Sequence, residues 1–214
     1  MVIFDWDGTL CDSVGQIVRS VQAVARQLDL PVPSDVDAAN IIGLSLPRAM
    51  QVLFPQHSPE HLDELINRYS RHYVASEEAP PSLFPGALDT LLTLKARGYE
   101  LAVATGKSRR GLNRILGLLD LHGFFDATRC ADETTSKPDP LMIHELLEER
   151  SIGRERVLMV GDTEYDLEMA KNAGVASVGV SFGVHSVERL AIHDPVAIVD
   201  ELPQLLDLPE LAGR

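Results

Sequence analysis

Lysine, cysteine and long apolar runs are all scarce in this chain of 214 residues. The two cysteines, Cys11 and Cys130, lack metal-binding spacing, so we expect reduced thiols rather than a disulfide or a zinc site. No apolar run approaches the roughly 20 residues that cross a bilayer. The first apolar segment carries Asp5 and Asp7, which the apolar core of a signal peptide would not tolerate. We therefore expect a cytoplasmic protein.

Positive charge is scarce as well. The chain has 19 Lys and Arg against 32 Asp and Glu, a formal net charge of -13, and no basic run offsets it. Such a surface repels nucleic acid and anionic membranes, so we expect neither as a partner. The four lysines are Lys95, Lys107, Lys137 and Lys171, and this scarcity makes the position of each informative.

Apolar spacing divides the chain into a helical stretch and an alternating series of strands and helices. Helical spacing without strands extends from residue 13 to about 82, and strand-like and helix-like segments alternate from residue 86 onward. The predicted helices are 13–30, a stretch up to about 54, 60–76, 86–97, 108–118, 139–150, 164–173 and 202–208; the predicted strands lie near 2 and at 100–104, 127–130, 156–160, 176–180 and 196–199.

The alternating series predicts an α/β fold with a Rossmann-like parallel sheet. The apolar run near Val2 must join that sheet, because a lone strand cannot satisfy its backbone groups. We therefore predict an α/β core of residues 1–12 and 85–214 and an inserted helical cap of residues 13–84. Prolines and glycine at Pro80-Pro81 and Pro85-Gly86 are typical of a hinge between them.

Polar residues stand where several predicted strands end, which is where open α/β sheets bind ligands. Asp5 and Asp7 follow the first strand, and Gly8 allows the chain to turn. Carboxylates this close repel each other unless a proton, a cation or a lysine intervenes, so they indicate metal or acid–base chemistry. Thr105 and Gly106 end a second strand where a helix begins, a favourable position for an anion.

Lys137 and two further aspartates extend this pattern. Lys137 precedes Pro138, which favours an extended backbone just before a helix. Asp162 ends another strand, and Asp166 follows one helical turn later, so both carboxylates can lie on one side of the helix start. The loop 182–186 follows a strand end and could border the same site.

In these motifs the chain resembles the haloacid dehalogenase superfamily, and within it the phosphatases with a small helical cap after the first strand, such as phosphoglycolate phosphatases. The resemblance spans nearly the whole chain. It rests on Asp5-Trp6-Asp7-Gly8-Thr9-Leu10-Cys11-Asp12-Ser13, Ala104-Thr105-Gly106, Lys137-Pro138 and Gly161-Asp162-Thr163 with Asp166.

The resemblance implies a phosphatase that forms an aspartyl phosphate. It implies that Asp5 is the nucleophile, that Asp7 is the general acid and base, and that Thr105, Gly106 and Lys137 hold the phosphoryl group. A carboxylate that attacks an anionic phosphorus needs local positive charge. We expect Lys137 and a metal ion to supply it.

The resemblance further implies a Mg²⁺ site. The carboxylates of Asp5 and Asp162 and the backbone carbonyl of Asp7 would be ligands, and Asp166 would support them. Mg²⁺ prefers octahedral oxygen ligands and retains several waters, which fits this set.

Several other activities are compatible with parts of the pattern. Haloacid dehalogenases lack the second aspartate, and phosphonoacetaldehyde hydrolases need a cap lysine, whereas residues 13–84 contain none. A β-phosphoglucomutase-like phosphomutase and a pyrophosphatase of the same superfamily remain open. A phosphoacceptor signalling domain also gathers Asp, Thr and Lys at strand ends, but it would store the phosphoryl group and would have neither a cap nor Asp7.

The expected substrate is a small phosphorylated carboxylic acid such as 2-phosphoglycolate. A second anionic group would need a specific arginine, because the predicted cap has five arginines against eight acidic residues. Arg48 is the candidate, since it follows Gly43 and Pro47 in a loop that can fold back over Asp5. The sequence leaves the oligomeric state open.

Overall fold

The computed structural model describes residues 1–76 and 81–211. In chain order the elements are β1 (Val2–Phe4), α1 (Val14–Gln27), α2 (Asp35–Asn40), α3 (Leu46–Leu53), α4 (Pro59–Ala75), α5 (Ala87–Ala96), β2 (Leu101–Thr105), α6 (Arg109–Leu118), β3 (Ala127–Cys130), α7 (Leu141–Arg150), β4 (Leu158–Gly161), α8 (Glu164–Ala173), β5 (Ala176–Val180), α9 (Val187–Ala191) and β6 (Ala197–Val199). Arg154–Arg156 and Leu202–Asp207 form 3-10 helices. Within these described ranges no helix is long and apolar enough to span a membrane.

In the described part of the chain, six strands form one parallel sheet in the order β3-β2-β1-β4-β5-β6. In β1 the residue Phe4 pairs with Val103 of β2 on one side and with Val160 of β4 on the other. Every residue of these three strands is buried, which explains why they are continuous apolar runs rather than alternating ones. The predicted α/β fold with a parallel sheet is confirmed.

Alternate residues of β1 belong to two apolar cores on opposite faces of the sheet. Val2 and Phe4 pack with residues of α5 and α6, whereas Ile3 packs with residues of α7 and α8. Burial of one such side chain contributes roughly 1.5–3 kcal/mol. Both faces therefore hold β1 rigidly, and with it the segment that follows Phe4.

The helices α1 to α4 surround a third apolar cluster, which includes Ile17, Met50 and Leu65. None of the described residues between 14 and 76 forms a strand, as predicted. The prediction of one continuous helical stretch up to about residue 54 is wrong, because α2 and α3 are separate. Between them Gly43 has a φ of 98°, which is incompatible with a right-handed helix, and Ser45 caps α3.

The chain leaves the sheet and returns to it along two adjacent segments. The Asp12 N–H donates to the Ser82 carbonyl, and the Phe84 N–H donates to the Leu10 carbonyl. Pro80, part of the predicted hinge, lies outside the described residues, and the division into two domains stays a prediction. We refer to α1–α4 as the cap helices.

Two predicted helices differ in detail. The helix α7 begins at Leu141 rather than at residue 139, with Pro140 at its N-cap, and the Asp139 carboxylate accepts from the Leu141 N–H at 2.9 Å. The predicted helix at 202–208 is a 3-10 helix, Leu202–Asp207. The short helix Val187–Ala191 was not predicted, since five residues are too few to show a helical period.

Candidate active site

The carboxyl ends of three neighbouring strands bring polar side chains together. Asp5 follows β1, Thr105 ends β2 and Asp162 follows β4. Asp166 comes from the first turn of α8, and Lys137 comes from the loop before α7. All five side chains belong to residues that are at most 1% exposed.

Lys137 connects two of these carboxylates. Its Nζ donates to Asp5 Oδ1 and to Asp166 Oδ1, at 2.6 Å in each case. The other Asp166 oxygen accepts from the Thr163 N–H at 3.1 Å and from Thr163 Oγ1 at 2.7 Å. Burial lowers the pKa of the Lys137 ammonium, but the charges of Asp166 and Asp5 outweigh it and raise the pKa above its usual value.

Asp162 is held by two segments that are distant in the sequence. Its Oδ1 accepts from Thr9 Oγ1 at 2.8 Å, and its Oδ2 accepts from the Val184 N–H at 2.9 Å. Gly8 has a φ of 85°, and a Cβ at this position would lie 2.3 Å from Asp162 Oδ2. The turn after β1 therefore requires glycine. The loop 182–186 contacts Asp162 through its backbone.

Asp5, Asp162 and Asp166 form a group that could hold a metal ion, because one oxygen from each lies within 4.8 Å of the others. Burial, together with the other carboxylates, raises the pKa of Asp5 well above its usual value and that of Asp162 to about 7. Asp5 Oδ2 is buried and has no hydrogen-bond partner in the described part of the chain. Three carboxylates and one ammonium thus fit a divalent cation with oxygen ligands.

The Asp7 carboxylate lies apart from this group and binds Lys107, a lysine outside the predicted site. Lys107 Nζ donates to both Asp7 oxygens, at 2.8 and 2.9 Å, and Ser13 Oγ donates to Asp7 Oδ1 at 2.5 Å. The same Nζ lies 5.2 Å from the centre of the Tyr73 ring, on a cap helix. A cap residue and a candidate acid–base residue therefore contact one ammonium group.

The loop between α2 and α3, residues 41–45, covers the end of β2. A Cβ on Gly106 would lie 2.4 Å from the Leu44 carbonyl oxygen, so the two backbones are in close contact. The Ser45 N–H donates to Ser136 Oγ at 2.8 Å, next to Lys137. These contacts place the cap helices directly over the predicted phosphoryl site.

A cavity of about 1110 Å³ lies between the cap helices and the core. Asp7, Gly106 and Lys107 line it on the core side, as do the basic residues Arg110 and Arg114 of α6, and Arg71 of α4 lines it on the cap side. Arg48 is exposed and is not among the described residues that line the cavity; its guanidinium donates to Gln51 Oε1 at 2.9 Å.

The structure places the predicted residues Asp5, Thr105, Lys137, Asp162 and Asp166 together at the carboxyl ends of the strands. Asp7 and Gly106 line the adjoining cavity, whereas Arg48 is exposed on α3. Lys107 also contacts a site residue but was not among the predicted site residues. Its position two residues after the end of β2, in a chain with only four lysines, is the sequence feature that could have identified it.

Known proteins resemble the chain along nearly its whole length. A family described as haloacid dehalogenase-like hydrolase matches residues 2–180. The "Probable phosphatase IndB" of Dickeya dadantii is 34% identical, with 96% of this chain and 91% of the relative covered. A phosphoglycolate phosphatase of Vibrio cholerae is 30% identical, with 97% and 96% covered. The crystal structure of a hydrolase from Pseudomonas syringae, 22% identical, has the same fold, with a TM-score of 0.89 and 100% and 99% covered.

Proposed function

The chain belongs to the haloacid dehalogenase-like hydrolase family and is a phosphatase, and from that premise we propose that it hydrolyses a small phosphorylated metabolite in a Mg²⁺-dependent reaction. The reaction passes through an aspartyl phosphate on Asp5. The observation that carries this proposal is the buried Asp5 carboxylate, whose Oδ1 accepts from Lys137 while Oδ2 has no partner in the described residues.

The carboxylates of Asp5 and Asp162, with the backbone carbonyl of Asp7, are the proposed Mg²⁺ ligands. When bound, the ion supplies positive charge that offsets the negative charge of the phosphoryl group. Asp166 is a positioning residue in this scheme. It holds Lys137 by a 2.6 Å contact, and Thr163 in turn holds Asp166.

In the first step an Asp5 oxygen attacks phosphorus, and the bond between phosphorus and the alcohol oxygen breaks. Asp7 gives a proton to the departing alkoxide. In the second step water attacks phosphorus, Asp7 takes a proton from that water, and the bond between phosphorus and Asp5 breaks. Lys137, Thr105 and the Gly106 backbone hold the phosphoryl oxygens in both steps.

Asp7→Asn should slow esters of poor leaving groups far more than esters of good ones. An alkyl phosphate needs a proton on its leaving oxygen, so its kcat/KM should fall by about 10²–10⁴-fold. The kcat/KM for p-nitrophenyl phosphate should fall by about tenfold or less, because nitrophenolate leaves unprotonated and kcat/KM does not include the later hydrolysis of the aspartyl phosphate. Steady-state kinetics on both substrates test this, and equal losses on both would remove Asp7 from the role of acid.

Lys107 is a further positioning residue, because it fixes both oxygens of Asp7. Lys107→Met should therefore reduce kcat/KM for alkyl phosphates by about 10–10²-fold and spare kcat/KM for p-nitrophenyl phosphate. Lys107→Arg, which keeps the charge and two donors, should restore part of the loss. Lys95→Met, at a lysine 3.9 Å from Asp126, is the control. A loss of equal size for both substrates would mean that Lys107 is merely structural.

The overall proposal is tested by measuring phosphate release from 2-phosphoglycolate, pyrophosphate, hexose phosphates and phosphorylated peptides. Sustained release is expected with Mg²⁺, none with a chelator, and inhibition by Ca²⁺, whose larger and more flexible coordination would misplace Asp5. 2-Phosphoglycolate is the substrate that the sequence favours. A stable phosphoprotein without turnover would support a signalling domain instead, and hexose phosphate isomerisation would support a mutase.

A further inference from the structure

The cavity between the cap helices and the core is large for the substrate expected from the sequence. Its volume of about 1110 Å³ slightly exceeds the range of roughly 300–1,000 Å³ that is typical of pockets for drug-sized ligands. A two-carbon phosphorylated acid would occupy only a small part of it. The lining therefore indicates what else the substrate carries.

The cavity begins at the residue that is proposed to protonate the leaving oxygen. Asp7, Gly106 and Lys107 all line it. In the proposed reaction the alcohol part of the ester departs beside Asp7, so the rest of that alcohol extends into this space. This step, and the inference below, rest on the proposed function.

The walls beyond Asp7 are mainly aliphatic and aromatic. Ile42 and Leu44 come from the loop over the site, Ile17 from α1 and Ile115 from α6, and each is at most 9% exposed. Tyr69 and Tyr73 add two rings from α4, with centroids 5.9 Å apart. All six residues line the cavity. Such a wall binds apolar or ring-shaped groups.

The charged residues of the cavity do not form a buried site for a second anion. Lys107 pairs with Asp7, Arg71 and Arg110 are exposed, and Arg114 is half-buried. Glu60 and Asp63 also line the cavity and are exposed, so charges of both signs occur at its solvent-accessible part. Apart from Asp7, the buried side chains of the lining are thus apolar or aromatic.

We propose that the substrate is a phosphomonoester whose alcohol part is an apolar chain or ring several carbons long, which lies against Ile17, Ile42, Tyr69 and Tyr73. The phosphoryl group binds at Asp5 and Lys137, and the apolar group fills the cavity. The length of the apolar group of the substrate, rather than a carboxylate on the substrate, then determines the specificity.

The test is a series of linear alkyl phosphates from methyl to hexyl, with 2-phosphoglycolate and ethyl phosphate as a matched pair of similar size. The value of kcat/KM should rise two- to fourfold per methylene, about fourfold being the limit for complete burial of one methylene. 2-Phosphoglycolate should be no better than ethyl phosphate. A flat series, or 2-phosphoglycolate above hexyl phosphate, would overturn the inference and leave the phosphatase mechanism intact. Failure to hydrolyse every ester with Mg²⁺ would instead contradict the proposed function.

A substitution that fills part of the cavity tests where the alkyl chain of the substrate binds. Ala49 lines the cavity and is 2% exposed, so Ala49→Leu should lower the ratio of kcat/KM for hexyl phosphate to that for methyl phosphate by about tenfold. Val52→Leu adds a methylene on the same helix at a side chain that is 43% exposed, and the ratio should not change. If the ratio of kcat/KM for hexyl and methyl phosphate is unchanged in Ala49→Leu, the alkyl chain does not bind in this cavity and the inference is contradicted. If Ala49→Leu loses activity on methyl phosphate as well, Ile17→Ala, which removes part of the wall, must lower the ratio instead.

Discussion

Asp5→Asn is expected to lower turnover by at least about 10⁴-fold while the protein stays folded. The amide has nearly the shape of the carboxylate but lacks the charge needed to attack phosphorus and to bind a cation. Asp5 is one of three buried carboxylates around one ammonium, and Lys137 keeps its contact with Asp166, so the neutral amide should not reduce stability greatly. Phosphate release and circular dichroism measure the two parts of this prediction.

Asp89→Asn is the matched control, since Asp89 is exposed on α5. It should have the activity of the unsubstituted protein. Release by Asp5→Asn within about tenfold of that activity would show that another group is the nucleophile, and the proposed mechanism would be wrong.

Lys137→Met is expected to destabilise the protein by about 3–5 kcal/mol and to lower kcat by about 10³-fold. Methionine fills a similar volume, so the change mainly removes the ammonium that Asp5 and Asp166 share. Removing one partner of a buried ion pair leaves an uncompensated charge, which is the basis of the estimate in free energy. The kinetic loss follows from the missing contact to the phosphoryl group.

Urea unfolding with and without Mg²⁺ separates these effects. Mg²⁺ should restore part of the lost stability, because it binds the same carboxylates in the folded state only. Lys171→Met is the control, since its ion pair with Asp194 is 3.5 Å long and exposed, and it should change stability by less than about 0.5 kcal/mol. A Lys137→Met protein as stable as the original would show that Lys137 does not balance the acidic group.

The core of the site could be predicted from the sequence because it depends on local rules. Asp5, Thr105 and Asp162 each follow or end an apolar run, and parallel strands place their carboxyl ends at one edge of the sheet. The pair of Lys107 and Asp7 could not be predicted in this way. The two residues are 100 positions apart, and their contact depends on how the turn after β1 directs the Asp7 side chain.

Arg48 shows a limit of a different kind, because the apolar spacing of α3 already predicts that this residue is exposed, while its role toward the substrate stays a prediction. The helical spacing of Leu46, Ala49, Met50 and Leu53 places the apolar face of α3 toward the cap interior. Arg48 does not belong to that face, and it is exposed. The division between α2 and α3 depends on Gly43, which has a positive φ, and on Ser45, which caps α3, and both residues are local signals in the sequence.

The most direct test of the central claim is a rapid acid quench during turnover of a ³²P-labelled phosphomonoester. We expect a transient phosphoprotein, cleaved by hydroxylamine as acyl phosphates are, whose label maps to the peptide that contains Asp5. Asp5→Asn should give no labelled protein, whereas Asp7→Asn should still accept label from p-nitrophenyl phosphate. Label on another residue, or turnover with no labelled protein on the timescale of the first catalytic cycle, would contradict covalent catalysis by Asp5.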